Sequence, residues 1–508
     1  MYRILCWTSI FFCLGSIFIH LHLNFVFTIL SEFAVWCIGI VLYLKKKLTL
    51  WLLLLLMISL FAGLIYEKLS EWHAETAWQT LMSQSVDKHQ KLTVMGYVDG
   101  YIKSIGGRLE LPLTVAYYLS SNSRHWMAAP YHPKIWLTIF RDQTSPAIAI
   151  LPGDALCIPL RLKIPPTGGF TTSLLRKGIR LEASTSEADV QITASSMPVA
   201  PYAWQGLVQE WIESRATLSY GKVPTAFLLS FSIGDHMQMD SALVKIFVAL
   251  GVVHAVVASG ATIRMTVTPV VRMLMKIAPW RILWFSIGLS LTLLMMFLSA
   301  FSPPATRAAL VYSYDLWGKF VRKKSDFYTR NAVSLVVLLL IQPEWLFDPG
   351  VIFSYAAAIA IHILPGVFSD TWFSHVRNQR IRRLLSKAFS LQFGVSPFVA
   401  FEFGQFPYLS LVVNLFLYPV LEWAIPISTV FIIVACVNPS GISMMSAFFT
   451  PFFFNVTSLL QRIGSLPLNY TFPPPPVWVQ FTYLFLIAFS IWQIRRYKFR
   501  KVSKYSNG

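Results

Sequence analysis

Apolar residues run along this chain in two patterns. Unbroken apolar stretches at about 4–19, 22–44 and 48–66 each approach the roughly 20 residues that a helix needs to cross a bilayer. From Glu67 to about Lys222 the pattern changes to short alternating runs, such as Lys91–Val98 and Lys134–Phe140. Turn signals separate them: Gly106-Gly107, Leu151-Pro-Gly-Asp154 and Pro165-Pro-Thr-Gly-Gly169. Period-two runs bounded by Gly and Pro predict a small β-rich domain, a barrel or sandwich, outside the membrane. After about Pro224 the chain is apolar again, with candidate spans near 226–239, 242–263, 282–300, 303–318, 331–342, 350–366, 388–404, 408–437, 443–461 and 477–494. Several are short, long or interrupted, so the pattern predicts roughly ten to twelve membrane segments, some re-entrant or half-length.

Composition agrees. The 508 residues are 55% hydrophobic and only 13% charged, which excludes an ordinary soluble enzyme. The 42 Lys and Arg against 23 Asp and Glu give a formal charge of +19. Basic loops on the cytoplasmic side account for such an excess, and a path for a polyanion is a second account compatible with the first. Lys45, Lys46 and Lys47 then place the N-terminus inside and the chain beyond Tyr66 outside. The clusters Arg322, Lys323, Lys324, then Arg377, Arg380, Arg382, Arg383, and finally Arg495, Arg496, Lys498, Arg500, Lys501 all face the cytoplasm on this reading. The first apolar run, preceded by Arg3, has no small-residue cleavage site after it and reads as a retained span. Cys6, Cys13, Cys37 and Cys436 lie in apolar stretches and Cys157 in the polar segment, so neither a zinc pattern nor a disulfide framework is implied.

Polar residues are costly inside apolar segments, which makes each a functional candidate. The densest set is Ser232 to His236, including Gly234 and Asp235, followed by Gly251, His254, Ser259 and Gly260. In one continuous helix His254 and Ser259 would stand about 140° apart, and a break at Ser259-Gly260 would bring them together. They read either as a polar lining and packing element or as a catalytic Ser–His pair, the latter without a carboxylate spaced to orient the histidine. Ser302-Pro-Pro breaks the chain just before Arg307, which either lines a pore where it meets phosphate or snorkels to the interface. Asp348-Pro-Gly350 and Phe401-Glu402-Phe-Gly404 are further breaks that carry carboxylates. His20 and His22 lack the partners of a metal site and read as interfacial, and Pro473–Pro476 as a stiff linker.

In order along the chain, these features resemble the ComEC competence proteins, inner-membrane channels for DNA uptake in transformable bacteria. The resemblance runs from about 70 to 460. It rests on Pro166-Thr-Gly-Gly-Phe170 with Lys177-Gly178-Ile179, on Gly234-Asp235, and on Gly251, His254 and Ser259-Gly260-Ala-Thr-Ile263. It continues through Ser302–Ala309 with Arg307, Leu346-Phe-Asp-Pro-Gly350, Phe353-Ser354, Gln392-Phe-Gly394, Pro397, Phe403-Gly404-Gln405-Phe406, Asn414 and Pro419. Thr262 stands where the family has a second histidine. The chain ends at Gly508, soon after its last expected span, so the form without the C-terminal metallo-β-lactamase-like domain of longer relatives is expected.

The resemblance implies a polytopic α-helical membrane protein with an extracytoplasmic OB-like β-rich domain. Its expected parts are N-terminal transmembrane helices at 1–66, the β domain at 67–223, a polytopic channel domain at 224–494 and a basic cytoplasmic tail at 495–508. It implies a multi-pass channel in the bacterial inner membrane that passes single-stranded DNA into the cytoplasm, without an enzymatic step, cofactor or metal. Substrate-path candidates are Gly234, Asp235, Gly251, His254, Ser259, Gly260, Arg307, Asp348, Ser354, Gln392, Glu402 and Asn414. Tyr97, Tyr101, Tyr117, Tyr118, Trp126 and Trp136 are available to stack bases or to fill a β core. Since no GxxxxGK[ST] phosphate loop occurs, a separate ATP-driven motor or helicase is implied, beside an envelope DNA receptor and membrane lipid as partners. Oligomeric state is not derivable. The alternatives are a membrane-embedded enzyme acting on a lipid or nucleotide through Asp235, His254 and Ser259, and a relative kept for another export or uptake task.

Overall fold

The structure, a computed structural model, describes residues 62–63, 65–66, 68–69, 72–73, 75–83, 92–98, 102–105, 108–119, 125–140, 150, 153–163, 179–193, 200–234, 239–251, 260–277, 280–406, 410–438, 446–464 and 470–471. The expected spans at 4–19, 22–44 and 477–494, most of that at 48–66, and the basic tail lie outside the described residues, as do His20, His22 and Pro473–Pro476. The chain divides into two compact units: Met1–Trp211 with Trp280–Asp348, and Ile212–Pro279 with Pro349–Gly508.

The alternating segment of the first unit forms the strands β1 (Leu92–Val98), β2 (Lys103–Ile105), β3 (Arg108–Leu119), β4 (Met127–Ala128), β5 (Lys134–Phe140), β6 (Ala155–Lys163), β7 (Ile179–Ser186) and β8 (Gln191–Thr193). The pairing order β1–β3–β5–β7–β6 returns to β1, so the sheet closes into a barrel and leaves these strands without a free edge. All neighbours in this circuit run antiparallel except β5 and β7. The reason is legible in the side chains: in β1, Leu92, Val94, Gly96 and Val98 are buried in strict alternation, and β5 and β7 repeat the pattern. Leu111, Leu113, Ile135, Leu137, Ile139, Leu156, Ile158 and Leu160 meet in a core closed to solvent, each stabilising the barrel by about 1.5–3 kcal/mol.

The loop from β4 to β5 follows the edge of β3 and contains Tyr131 and His132, both in the left-handed region with φ of 55° and 47°. That conformation costs non-glycine residues roughly 1–2 kcal/mol each. Tyr131 meets two rings of the helical residues that precede the barrel: it stacks on His73 at 4.2 Å between centroids and meets Trp72 edge-on at 6.0 Å.

The helices are α1 (Ala200–Tyr220), α2 (Lys222–Ile233), α3 (Ser241–Ala249), α4 (Gly260–Ile277), α5 (Arg281–Leu298), α6 (Pro303–Phe320), α7 (Phe327–Ile341), α8 (Pro349–Asp370), α9 (Gln379–Phe403), α10 (Ser410–Val437) and α11 (Ser446–Gly464). Among the described residues, α5 and α8 are long and apolar enough to cross a membrane, with mean hydropathies of 1.8 and 2.0. Shorter apolar helices are α2, α7 and the Trp423–Val437 part of α10. That last segment is inside-out for a water-soluble helix. Val420, Trp423, Ile427, Val430, Val434 and Val437 are exposed at three- and four-residue intervals, while Ile425, Ser428, Ile432 and Ala435 are buried.

Several elements differ from the expected bounds. The apolar run 226–239 stops early, because α2 ends at Ile233 and Gly234 follows in the left-handed conformation. The run 242–263 is no single span: α3 ends at Ala249, Gly251 has φ 68°, and a new helix begins at Gly260. That helix continues to Ile277, well past the apolar run. Its buried stripe Ile263, Val267, Val271 persists, while the exposed Arg264, Arg272 and Lys276 interrupt the sequence pattern. The run 388–404 begins earlier as α9, where the Asn378 side chain accepts from the N–H groups of Arg380 and Ile381 at 2.9 and 3.3 Å. The cluster Arg380, Arg382, Arg383 thus occupies the first turns of a helix. Within 67–223, read as β-rich, the strands occupy 92–193 and the 21-residue α1 follows them.

Candidate functional site

The α6–α7 hairpin of the first unit carries the densest buried polar chemistry among the described residues. Pro303 and Pro304 start α6, where missing N–H groups cost nothing because no intrahelical partner exists for them. One turn further in, Arg307 is only 7% exposed. Its Nη1 donates to Asn331 Oδ1 on α7 at 3.2 Å. Asn331 is itself oriented, since its Nδ2 donates to the Phe327 carbonyl at 2.8 Å and leaves Oδ1 for the guanidinium. A buried cation so held is a fixed positive charge in an apolar helix pair. The Ser302 hydroxyl, one turn before Arg307, is enclosed and makes no hydrogen bond among the described residues.

Next to Asn331 in the chain, Arg330 Nη1 bonds both carboxylate oxygens of Asp315 at 2.7 Å, and the Ser325 hydroxyl donates to the same carboxylate. The Arg330 guanidinium also lies 5.5 Å from the Phe327 ring. Asp326 caps α7 through the Thr329 N–H and hydroxyl. The turn between the helices exposes Arg322, Lys323 and Lys324. Sequence reasoning found Arg307 and that basic turn but missed Asn331, Asp315 and Arg330. The rule that singled out Arg307, a polar group within an apolar helix, would have found them.

Asp348 follows a short 3-10 helix, Pro343–Phe347, and its N–H donates to the Trp345 carbonyl. It is half-buried at the start of α8.

In the second unit, Gln392 on α9 accepts from the buried Ser410 hydroxyl at the start of α10, 2.6 Å away. Ser386, Ser390 and Ser396 turn their hydroxyls back onto the carbonyls four residues earlier, which satisfies them inside α9 without a partner helix. Ser354 lies on α8, Glu402 near the end of α9 and Asn414 one turn into α10, all half-buried. Gly394 is pressed against α8 so closely that a methyl group there would stand 2.2 Å from the Ala360 Cβ. Gly234 and Gly251 each end a helix with positive φ, which L side chains resist, so the backbone alone explains glycine at both. Gly260 opens α4, and Thr262 is buried. Asp235, His254 and Ser259 lie outside the described residues, so the structure neither assembles nor separates the proposed Ser–His pair.

Of the six aromatics of this segment, Tyr118 is buried in the core and Tyr97 and Trp136 are half-buried, whereas Tyr117, which pairs with Ala128 of β4, and Trp126, just before β4, are exposed. Tyr101 lies outside the described residues.

The family model described as Competence protein matches residues 231–497, which takes in Arg307, Asn331 and Gln392. ComE operon protein 3 of Bacillus subtilis (strain 168) is 24% identical over 195 residues, covering 38% of this chain and 24% of that relative. The match therefore spans about a quarter of the relative's length. No solved structure matches. With more than half of its length matched by that model, the chain belongs to the competence protein family.

Proposed function

We propose that this protein is a multi-pass inner-membrane channel that passes single-stranded DNA into the cytoplasm during natural transformation. The observation that carries the reading is Arg307, a buried, hydrogen-bonded cation inside the apolar segment that the competence family model matches. Passing a polyanion across lipid needs fixed positive charge where water is scarce, and arginine holds phosphate through a planar fork without reading bases. The half-buried Gln392, Ser354, Glu402 and Asn414 are candidates for the same path, as are Gly234, Gly251, Gly260 and Asp348 around the helix breaks. Asp235, His254 and Ser259 complete the set.

The closed barrel supports an OB-like reading of the domain outside the membrane. Taking its main strands in chain order as first to fifth, they join as first, second, third, fifth, fourth and back to the first, with the third and fifth parallel. The exposed Tyr117 and Trp126 offer stacking faces for an incoming strand. The parts are membrane helices at 1–66, the barrel domain at 67–223, the channel domain at 224–494 and a cytoplasmic tail at 495–508. An envelope DNA receptor delivers the strand and a separate cytoplasmic motor or helicase draws it in.

Entry of fluorescent DNA into the cytoplasm tests this in cells lacking the gene and complemented with wild type, Arg307→Lys or Arg307→Ala. Deletion abolishes entry, wild type restores it and Arg307→Ala does not, with the protein still present in the membrane. Arg307→Lys, which keeps the charge and loses the fork, restores entry in part. Unchanged entry on deletion removes the channel reading.

A further inference from the structure

The stretch Thr371–Phe401 carries five cations, Arg377, Arg380, Arg382, Arg383 and Lys387, and neither an aspartate nor a glutamate. Arg380, Arg383 and Lys387 recur at intervals of three and four along the first turns of α9 and form one exposed stripe, with Ile381 and Leu384 exposed beside it. None of the three makes a side-chain hydrogen bond or ion pair among the described residues. Cations at this spacing repel one another, and the positive end of the helix dipole opposes them further. With no carboxylate bound to them among the described residues, they call for an anion from outside the chain.

The depth of the stripe identifies the anion. α8 is 22 residues long, about 33 Å, against a hydrocarbon core of roughly 30 Å. α9 returns antiparallel along it. Gly394 meets Ala360 at the middle of α8, and Phe389 meets the Phe368 and Phe373 rings at 6.1 and 5.0 Å between centroids. Gly394 thus stands near the bilayer midplane, and Arg383 and Arg380, eleven and fourteen residues before it, lie about 16 and 21 Å out. The headgroup layer occupies about 15–22 Å from the midplane. Lys387 starts about 10 Å out, and its stem, which leaves the helix toward the N-terminus, carries the ammonium to the same layer. Leu384 falls at the edge of the hydrocarbon, and the exposed Trp372 ring, edge-on to Phe389, is placed as an interfacial anchor. A nucleic-acid strand in water would leave Leu384 and Trp372 uncovered, whereas a phospholipid covers them with its chains while its phosphodiester meets the cations.

We infer that Arg380, Arg383 and Lys387 form a binding stripe for the phosphodiesters of acidic phospholipids in the cytoplasmic leaflet, with phosphatidylglycerol as the simplest ligand. Such lipids hold the α8–α9 pair at its depth. This rests on the membrane topology of the proposed function.

The test uses the full chain in phosphatidylcholine nanodiscs at constant ionic strength, with its five native cysteines replaced and a fluorophore on one new cysteine. Gln379→Cys places the label at the start of α9, and Ile359→Cys places it at the exposed middle of α8. Each basic side chain near the surface favours an acidic lipid by about fivefold, so nitroxide-labelled phosphatidylglycerol is expected to quench the label at 379 at roughly a fifth or less of the concentration that nitroxide-labelled phosphatidylcholine needs. Arg380→Gln with Arg383→Gln and Lys387→Gln is expected to erase that difference, while the label at 359 stays quenched by a nitroxide deep in the acyl chains and so reports that the variant is inserted. If the two lipids quench equally at 379 without these substitutions, or if the triple variant keeps the preference, the stripe is refuted, and continued quenching at 359 leaves the topology standing. If the label at 359 escapes the deep nitroxide in the otherwise unsubstituted chain, the topology itself fails. If oligothymidylate or inorganic phosphate abolishes the preference at 379, the stripe holds a phosphate from water and the inference is overturned.

Discussion

Asn331 decides how Arg307 is presented. Its amide is fixed by the Phe327 carbonyl, so one oxygen remains for the guanidinium, and no other rotamer choice is needed to aim it. Replacing it by leucine removes a hydrogen bond to a charged group from a buried place, a loss of about 1.5–3 kcal/mol. Asn331→Leu should therefore lower the thermal midpoint of the detergent-solubilised protein and reduce DNA entry, whereas Asn331→Asp, which supplies a full negative partner, should keep the fold and still reduce entry by neutralising Arg307. Intact entry in Asn331→Asp would show that the free charge of Arg307 is not used. At this scale the sequence exposes the costly residue but not its partner. Arg307 stands out because an arginine in an apolar run is rare, while Asn331 lies 24 positions away and only folding of the hairpin joins the two.

Elements were legible to the degree that their burial is periodic. Lys91–Val98 and Lys134–Phe140 read as strands from alternation alone and are β1 and β5, but the parallel pairing of β5 with β7 depends on closure of the whole barrel and leaves no local mark. The apolar run 242–263 ends inside α4 because Arg264, Arg272 and Lys276 interrupt it, although every fourth residue from Ile263 stays buried to Val271. The crossing of α8 and α9 was also invisible, since Gly394 announces neither its partner nor how near it lies. With the Ala360 Cβ 2.2 Å from where a methyl would be placed, Gly394→Ala should destabilise by about 1–3 kcal/mol, and Ala360→Gly in the same chain should recover most of it. Thermal unfolding of the two single variants and the double variant measures the coupling, and simple additivity would mean that the helices do not touch there.

For the whole molecule the charge pattern makes the firmest forecast. With Arg322, Lys323 and Lys324 held inside, a membrane-impermeant maleimide applied to intact spheroplasts should label Gln191→Cys on the barrel and spare Lys323→Cys until the membrane is opened. Native Cys157 interferes little, because burial pushes its thiol above the usual range and leaves little thiolate to react. Labelling of both positions from outside would reverse the orientation of the hairpin. The barrel adds a constraint on how such a molecule is made. Its closing seam joins Leu92 to Leu160 and Ala155 to Tyr97, and its parallel pair joins Ile135 to Leu181. Contacts so distant along the chain form slowly, since long loops must be closed before any strand is rewarded. On the proposed topology the barrel cannot close until β7, through Ser186, has been exported, by which time α1 is close behind in the translocation machinery. The barrel thus matures on the far side while the helices after it are still being inserted, and a variant that delays closure should give a protein that is correctly threaded yet degraded by proteases outside the membrane.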